Sequence, residues 1–127
     1  MQGKHLYEYA VIHLVPKVER EEFFNVGVIL FSKKANYIRS LCHINENKLK
    51  LYASELDPEQ ATAHLQVFQK ICSGDKQGGP IAALDVAERF RWLPAVRSSC
   101  IQTSRPHAGF SGNLDATLER LFNELVL

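Results

Sequence analysis

The sequence predicts an α+β domain in which an antiparallel sheet of three to four strands is packed by about three helices. Three strand-like segments come first along the chain, and segments of helical periodicity follow them. A late strand-like segment lies between two of the helices. Successive strands with short connections pair most simply as an antiparallel meander, which here is N-terminal. Strands followed by helices are typical of α+β folds and not of a doubly wound parallel sheet.

The first predicted strand covers residues 6–15, where aromatic and β-branched residues occupy both alternating faces. We therefore expect this strand to be covered on both sides. Pro16 is predicted to end it, because proline cannot donate a hydrogen bond to the sheet. Further strands are predicted over residues 24–31 and 37–44. Within the second strand, Asn25-Val26-Gly27 indicates a bulge or a close backbone approach.

The longest helix is predicted to begin where Asp57 precedes Pro58, since an N-cap followed by proline is typical of a helix start. Gln60 is placed to complete a capping box. Gly74 supplies the predicted stop, because glycine readily adopts the left-handed conformation that ends helices. Residues 45–54 are ambiguous and are compatible with a short helical turn.

Two further helices carry their own start signals. Asp85 with Glu88 forms a capping-box pattern at the head of a short helix that ends near Leu93. Residues 98–103 predict the late strand. Asn113 is predicted to cap a C-terminal amphipathic helix, in which apolar residues recur at helical spacing.

Composition limits the class of protein. At 127 residues, 46% hydrophobic and 23% charged, the chain is predicted to form a single domain over residues 1–127. The net charge of +1 argues against a dedicated nucleic-acid or membrane-surface binder. Apolar runs fall short of the ~20 residues that span a membrane, and the N-terminus lacks a signal-peptide pattern. The scattered Cys42, Cys72 and Cys100 fit buried thiols in a reducing compartment, so a cytoplasmic location is expected.

The first polar cluster contains Glu19, Arg20 and Glu22 and is followed by Asn25. Carboxylates at the mouth of a strand can bind a metal or a cationic group, with Asn25 orienting it. The alternative is a solvated connection between strands, and charge runs are more often solvated faces. Composition favours the second interpretation.

The second polar cluster contains Arg89, Arg91 and Trp92 and continues to Arg97 and Ser98. Arg89 and Arg91 are two residues apart on a helix, so they cannot share a face. Either of them could form an anion clamp with Arg97, because guanidinium groups match carboxylate and phosphate geometry. The alternative is an ion pair with an acidic residue of the first cluster, with Trp92 in the core.

His107 lies in the extended polar segment 102–109 and could act as an acid, a base or a hydrogen-bond donor. More often such a histidine caps a turn. Metal-ligand spacing is absent among the histidines, so no metal or cofactor is expected. The chain also lacks a P-loop, a dinucleotide fingerprint, a nucleophile elbow and an HExxH motif. The sequence therefore contains no complete catalytic constellation and leans away from an enzyme.

Strings along nearly the whole chain resemble one bacterial family. They include Tyr7-Glu8-Tyr9-Ala10-Val11, Asn25-Val26-Gly27-Val28, Glu88-Arg89-Phe90-Arg91-Trp92-Leu93, Arg97-Ser98, His107-Ala108-Gly109 and Ala116-Thr117-Leu118-Glu119-Arg120-Leu121. The chain resembles the uncharacterised domain of unknown function 3037 family, which implies no activity. Members of that family are often encoded beside a HipA-like kinase, so the resemblance implies a companion subunit. Most of the polar residues above fall within these strings. The resemblance implies that these polar residues form a shared structural network or a shared site.

Three functional hypotheses follow. The first is an accessory or interaction domain of a bacterial protein assembly that binds a protein partner, by resemblance a HipA-like kinase. The alternative is a small-ligand or enzymatic site that binds a phosphate or carboxylate group through Arg89, Arg97 and His107. Nucleic-acid binding through Lys33-Lys34 and the arginines ranks last. Sequence leaves self-association open.

Overall fold

The structure, a computed structural model, describes residues 4–17, 22–51, 58–75, 79–93 and 101–127, in which a five-stranded antiparallel sheet is packed by four α-helices. The strands are β1 (His5–Lys17), β2 (Glu22–Ser32), β3 (Tyr37–Cys42), β4 (Ile101–Thr103) and β5 (His107–Ser111). The helices are α1 (Glu46–Leu51), α2 (Pro58–Ser73), α3 (Val86–Trp92) and α4 (Leu114–Leu125), and a 3-10 helix covers Pro80–Ala83. The predicted α+β class is confirmed, with one strand more than expected.

β1 lies at the centre of the sheet. One of its edges pairs with β2, which pairs in turn with β3. Its other edge pairs with β5 along His5–Tyr9 and with β4 along Ile12–Leu14. The prediction that Pro16 ends β1 is wrong, because the strand continues to Lys17. Proline is tolerated there because the pairing with β2 is irregular after Leu14, and irregular positions need no ladder donor.

β4 and β5 form one interrupted strand along the second edge of β1. While β1 advances three residues over Tyr9–Ile12, the opposite chain advances four over Thr103–His107. Within this bulge, the Ser104 amide donates to the Val11 carbonyl at 2.8 Å. The Val11 amide donates to Ser104 Oγ at 2.9 Å. The sequence indicated only an extended polar segment over residues 102–109, so β5 is an addition made by the structure.

The α2 and α3 helices cover one face of the sheet. Alternation along β1 directs Ala10, Ile12 and Leu14 towards this face, where all three are buried. The apolar residues that the two helices contribute to the cluster are Ala61, Leu65, Phe68, Ile71, Cys72 and Phe90. Phe31 of β2 stacks on Phe90 with ring centroids 4.8 Å apart. This layer begins at Ala10, and it leaves the first residues of β1 uncovered on this face.

The α4 helix covers the opposite face. Its Leu118 and Leu121 are buried against Tyr7 of β1 and against Val28 and Leu30 of β2. The prediction that β1 is covered on both sides is therefore confirmed from Ala10 onwards, whereas Leu6 is half exposed. None of the helices in the described ranges combines the length and apolar character needed to cross a membrane.

The helix boundaries follow the predicted signals. Gly74 follows α2 with a φ of 75°, the left-handed conformation that glycine adopts without strain. The Asp85 carboxylate accepts from the Glu88 amide at 2.9 Å, and Asn113 Oδ1 accepts from the Ala116 amide at 3.1 Å. The capping role of Asp57 lies outside the described residues.

Candidate functional site

Arg89 caps the C-terminal end of α2. Its Nη1 donates to the Ile71 carbonyl at 3.1 Å and to the Cys72 carbonyl at 2.9 Å. Carbonyls in the last turn of a helix lack partners within the helix, and a cation there is favoured by the helix dipole. The guanidinium also packs beside Gly74, where a Cβ would lie only 3.1 Å from Nη1. The Nη1 atom of Arg89 is therefore engaged in holding α2 to α3.

Arg91 points away from this contact. Its side chain is 78% exposed, and Nη1 lies 3.8 Å from Glu88 Oε1. The prediction that Arg89 and Arg91 lie on different faces is confirmed. The prediction of Trp92 in the core is wrong, since it is 48% exposed. Phe90 is the buried aromatic of α3, and a residue two positions further along a helix cannot share its face.

Asn25 ties β2 to the end of α4. Its Nδ2 donates to the Leu125 carbonyl at 2.8 Å, which satisfies a carbonyl of the last helical turn. Glu22 is the first residue of β2. Glu19 and Arg20 lie outside the described residues. Asn25 is thus engaged in joining two secondary-structure elements.

The predicted bulge in β2 is also present. The pairing of β1 with β2 shifts register between Ile12 and His13, so that Val26 is the additional residue on β2. Gly27 lies so close to its neighbours that a Cβ would be 2.8 Å from Cys42 Sγ. Both parts of the prediction for Asn25-Val26-Gly27, a bulge and a close backbone approach, are confirmed.

His107 is exposed on β5, and its ring lies 5.2 Å from the Tyr9 ring. Tyr9 packs against the α4 face of the sheet, whereas Arg89 lies on the α2 face. The sheet therefore separates Arg89 from His107, and the structure does not bring them together. Arg97 and Ser98 lie outside the described residues.

A second histidine, His13, has a shifted pKa. His13 alternates onto the α4 face of β1 and stacks on Phe23, with ring centroids 4.3 Å apart. Burial lowers the pKa of His13 below its usual value, so its neutral form is favoured. Across the described ranges, groups of three or more His, Cys, Asp or Glu suited to a metal ion are absent.

A polar contact joins β3 to the first turn of α4. Tyr37 Oη donates to Asp115 Oδ1 at 2.7 Å, and Arg39 Nη1 donates to the same oxygen at 2.9 Å. These two hydrogen bonds lower the pKa of Asp115, with the one from Tyr37 acting most strongly. Both ionic partners are more than half exposed, so the pair contributes little to stability. Its acidic partner lies near the helix N-terminus, where the helix dipole favours it.

Cys42 and Cys72 meet between β3 and α2. Burial raises the pKa of the Cys42 thiol to about 12 and that of the Cys72 thiol to about 11. A thiol with a raised pKa is a poor nucleophile, because only the thiolate reacts. The two thiols therefore act as small apolar side chains, as the sequence predicted for them. Cys100 lies outside the described residues.

This environment predicts a loss of stability at alkaline pH. The raised values mean that the folded state holds its thiol protons above pH 9.0, where the unfolded state releases them. The free energy of unfolding is therefore expected to fall as pH rises from about 9 towards 11–12. Urea unfolding at several pH values measures it, with Cys42→Ala/Cys72→Ala as the control. An equally steep loss in the control would contradict this origin.

An apolar pocket with lysines at its rim lies at the uncovered beginning of β1. We call it the lysine-rimmed surface, and it has a volume of about 470 Å³. Its lining residues are Lys4, Leu6, Tyr7, Glu8, Phe31, Lys33, Lys34 and Phe110. Leu6 and Phe110 pair across β1 and β5 and are 50% and 59% exposed. Apolar residues of this size side by side on a sheet are normally covered.

Local sequence patterns do not reveal this surface. The sequence predicts Leu6 as part of the first strand and assigns no strand to Phe110. The sequence predicts Lys33 and Lys34 in a short polar turn, and nucleic-acid binding is the last-ranked function to which they could contribute. The apolar residue Phe110 directly follows Gly109 in the sequence, but this local pattern does not show what Phe110 contacts. Only the pairing of β5 with β1 places Phe110 beside Leu6.

Comparison with known proteins gives the family of the chain. Neither the curated proteins nor the solved structures contain a match. A family model does match, over residues 9–126, which includes all five strands at least in part and all four helices. Its description is "Protein of unknown function (DUF3037)". The resemblance found in the sequence strings is therefore confirmed, and the chain belongs to the DUF3037 family.

Proposed function

We propose that this chain is an accessory domain that binds a protein partner through the lysine-rimmed surface. The observation that carries the proposal is the exposed pair of Leu6 and Phe110 on neighbouring strands. Contiguous exposed apolar surface with a polar rim is typical of protein interaction sites. Aromatic anchors in the middle of such surfaces supply much of the binding energy.

The packing around this pair supports the proposal. Phe31 lines the pocket, and its ring stacks on Phe90 in the core. An anchor supported by the core is preorganised, so a partner does not have to order it on binding. Leu6 and Phe110 lie on paired β-strands, and rigid elements hold an interface more precisely than loops do.

The resemblance to the family suggests the identity of the partner. A HipA-like kinase is the candidate, because family members are often encoded beside one. The proposal also includes a cytoplasmic location and a bacterial assembly. The family description itself states no activity.

Affinity purification of the tagged chain from its native cells tests this function. A stoichiometric partner is expected to co-purify with the wild-type chain and to be lost with Leu6→Ser/Phe110→Ser. Phe23→Ser is the matched control, since Phe23 is 56% exposed and stacks on His13 on the other face of the sheet. Retention of the partner by the double variant would contradict the proposed surface. A chain that is solitary under all growth conditions would contradict the proposed function.

The alternative function, a small-ligand or enzymatic site using Arg89, Arg97 and His107, has less support. One ligand cannot contact Arg89 and His107 at once, because they lie on opposite faces of the sheet. The feature in its favour is the Nε atom of Arg89, which is buried without a hydrogen-bond partner among the described residues. An anionic ligand that depends on Arg89 and Arg97, but not on Leu6 and Phe110, would favour this alternative.

A further inference from the structure

Three lysines converge at one side of the lysine-rimmed surface. Lys4 immediately precedes β1, and Lys33 and Lys34 follow β2 in the turn to β3. The antiparallel register pairs Glu8 with Phe31, so the beginning of β1 lies against the end of β2. This topology brings together lysines that are far apart in sequence.

The convergence concentrates positive charge beside the pocket. All three lysines are exposed, and none forms an ion pair with another described residue. Glu8 is the acidic residue among the described side chains that line the pocket. Like charges held close together repel one another and favour a bound anion.

The turn that carries two of the lysines has a defined geometry. The Asn36 amide donates to the Lys33 carbonyl at 3.1 Å, which closes the turn. Asn36 has a φ of 50°, and asparagine tolerates this left-handed conformation better than most residues. Lys33 and Lys34 are therefore presented from a closed turn beside the pocket.

The apolar floor of the lysine-rimmed surface, formed by Leu6, Phe31 and Phe110, needs a different kind of group from its occupant. Leu6, Phe31 and Phe110 are large apolar residues of this pocket, whose whole volume of about 470 Å³ is within the range of about 300–1,000 Å³ that is common for ligand pockets. An occupant that satisfies the whole surface needs a large apolar group for the floor and negative charge for the rim. A free inorganic anion would leave the floor exposed to water.

We infer that the occupant is an acidic segment of the partner protein that packs a large apolar side chain against Leu6 and Phe110. Its carboxylates lie against Lys4, Lys33 and Lys34. This inference rests on the proposed function and specifies the chemistry of the partner. Charge complementarity at the rim favours association rate and specificity, while the apolar contact supplies more of the affinity.

The near-neutral net charge of the chain favours a peptide over a nucleic acid as the occupant. The net charge is +1, and nucleic-acid binders usually carry a strong basic excess. The lysines also lie at one side of an apolar floor instead of following an extended track. A nucleic acid would gain phosphate contacts with the rim but would leave the floor unused.

Selection of peptides from a random display library tests the inference. The wild-type chain is the bait, and its tightest peptides are then measured by fluorescence polarisation. The expected peptides combine Asp or Glu with a large apolar residue. Their affinity should fall at least tenfold with Lys33→Glu/Lys34→Glu and should weaken as salt is added. Lys48→Glu/Arg120→Glu is the matched control, because it makes the same charge change at exposed residues of α1 and α4.

The outcomes separate this inference from the proposed function. Peptides that need Leu6 and Phe110 but show no acidic preference would overturn the inference and leave the interaction surface intact. Peptides that bind independently of Leu6 and Phe110 would count against the surface itself. Parallel assays use a single-stranded oligonucleotide and vesicles containing anionic lipid. Tighter binding of either probe, lost on reversal of the lysine charges, would overturn the choice of a peptide.

Discussion

Replacing Gly27 by alanine is expected to lower the free energy of unfolding by about 1–3 kcal/mol. The added Cβ would lie 2.8 Å from Cys42 Sγ, 3.0 Å from Ile12 Cδ1 and 3.1 Å from the Leu41 carbonyl oxygen. Alanine normally suits a strand better than glycine by about 0.5–1 kcal/mol. The overlap should outweigh this gain, because Ile12 is fully buried and the Leu41 oxygen belongs to the sheet backbone. Urea denaturation monitored by circular dichroism measures the change.

A second substitution separates the close contact from other effects at this position. Cys42→Ala removes the nearest atom, so the double variant Gly27→Ala/Cys42→Ala should lose less stability than the two single losses added together. If the losses are simply additive, the Cys42 contact is not the cause. If Gly27→Ala alone is as stable as the wild type, then the strands separate easily at the bulge and the close approach imposes no constraint.

Replacing Arg89 by methionine is expected to lower the free energy of unfolding by about 1.5–3 kcal/mol, the usual range for hydrogen bonds to a charged group. Methionine keeps much of the apolar stem and removes the two hydrogen bonds to the Ile71 and Cys72 carbonyls. Those carbonyls close the C-terminal end of α2, so the contact between α2 and α3 should loosen. Thermal and urea denaturation measure the loss.

The neighbouring arginine provides the control. Arg91→Met removes a guanidinium that is 78% exposed and only 3.8 Å from its acidic partner. The expected change is within about 0.5 kcal/mol, as for most exposed positions. If both variants are equally stable, Arg89 is not a structural cap, and the alternative proposal that it binds an anion gains support. A selective loss with Arg89→Met would instead assign it to the fold.

The polar residues within the sequence strings that resemble the family thus fall into two groups. Some have a structural role, and the others have no assigned role. Arg89 and Asn25 each donate to a carbonyl at the C-terminal end of a helix, so their hydrogen bonds join separate elements. His107 is exposed, and Arg91 has only a distant partner. These separate structural hydrogen bonds account for the first pair without a ligand.

Much of the fold follows from local pattern. The caps formed by Asp85 and Asn113, and the stop at Gly74, depend on residues within a few positions of each helix end. The apolar character of β1 on both faces predicted two covering layers, because each face of a strand has to be buried separately. The bulge at Asn25-Val26-Gly27 also carried its own local signal.

The remaining features depend on contacts between distant segments. β5 is a strand because the edge of β1 is available to it, and β1 continues past Pro16 because its pairing there is already irregular. Trp92 is exposed because Phe90 takes the inward position on α3. The lysine-rimmed surface exists because the helices begin to cover their face of β1 only at Ala10. Local periodicity determines which residues prefer burial, whereas tertiary packing decides which of them remain uncovered and what charge surrounds them.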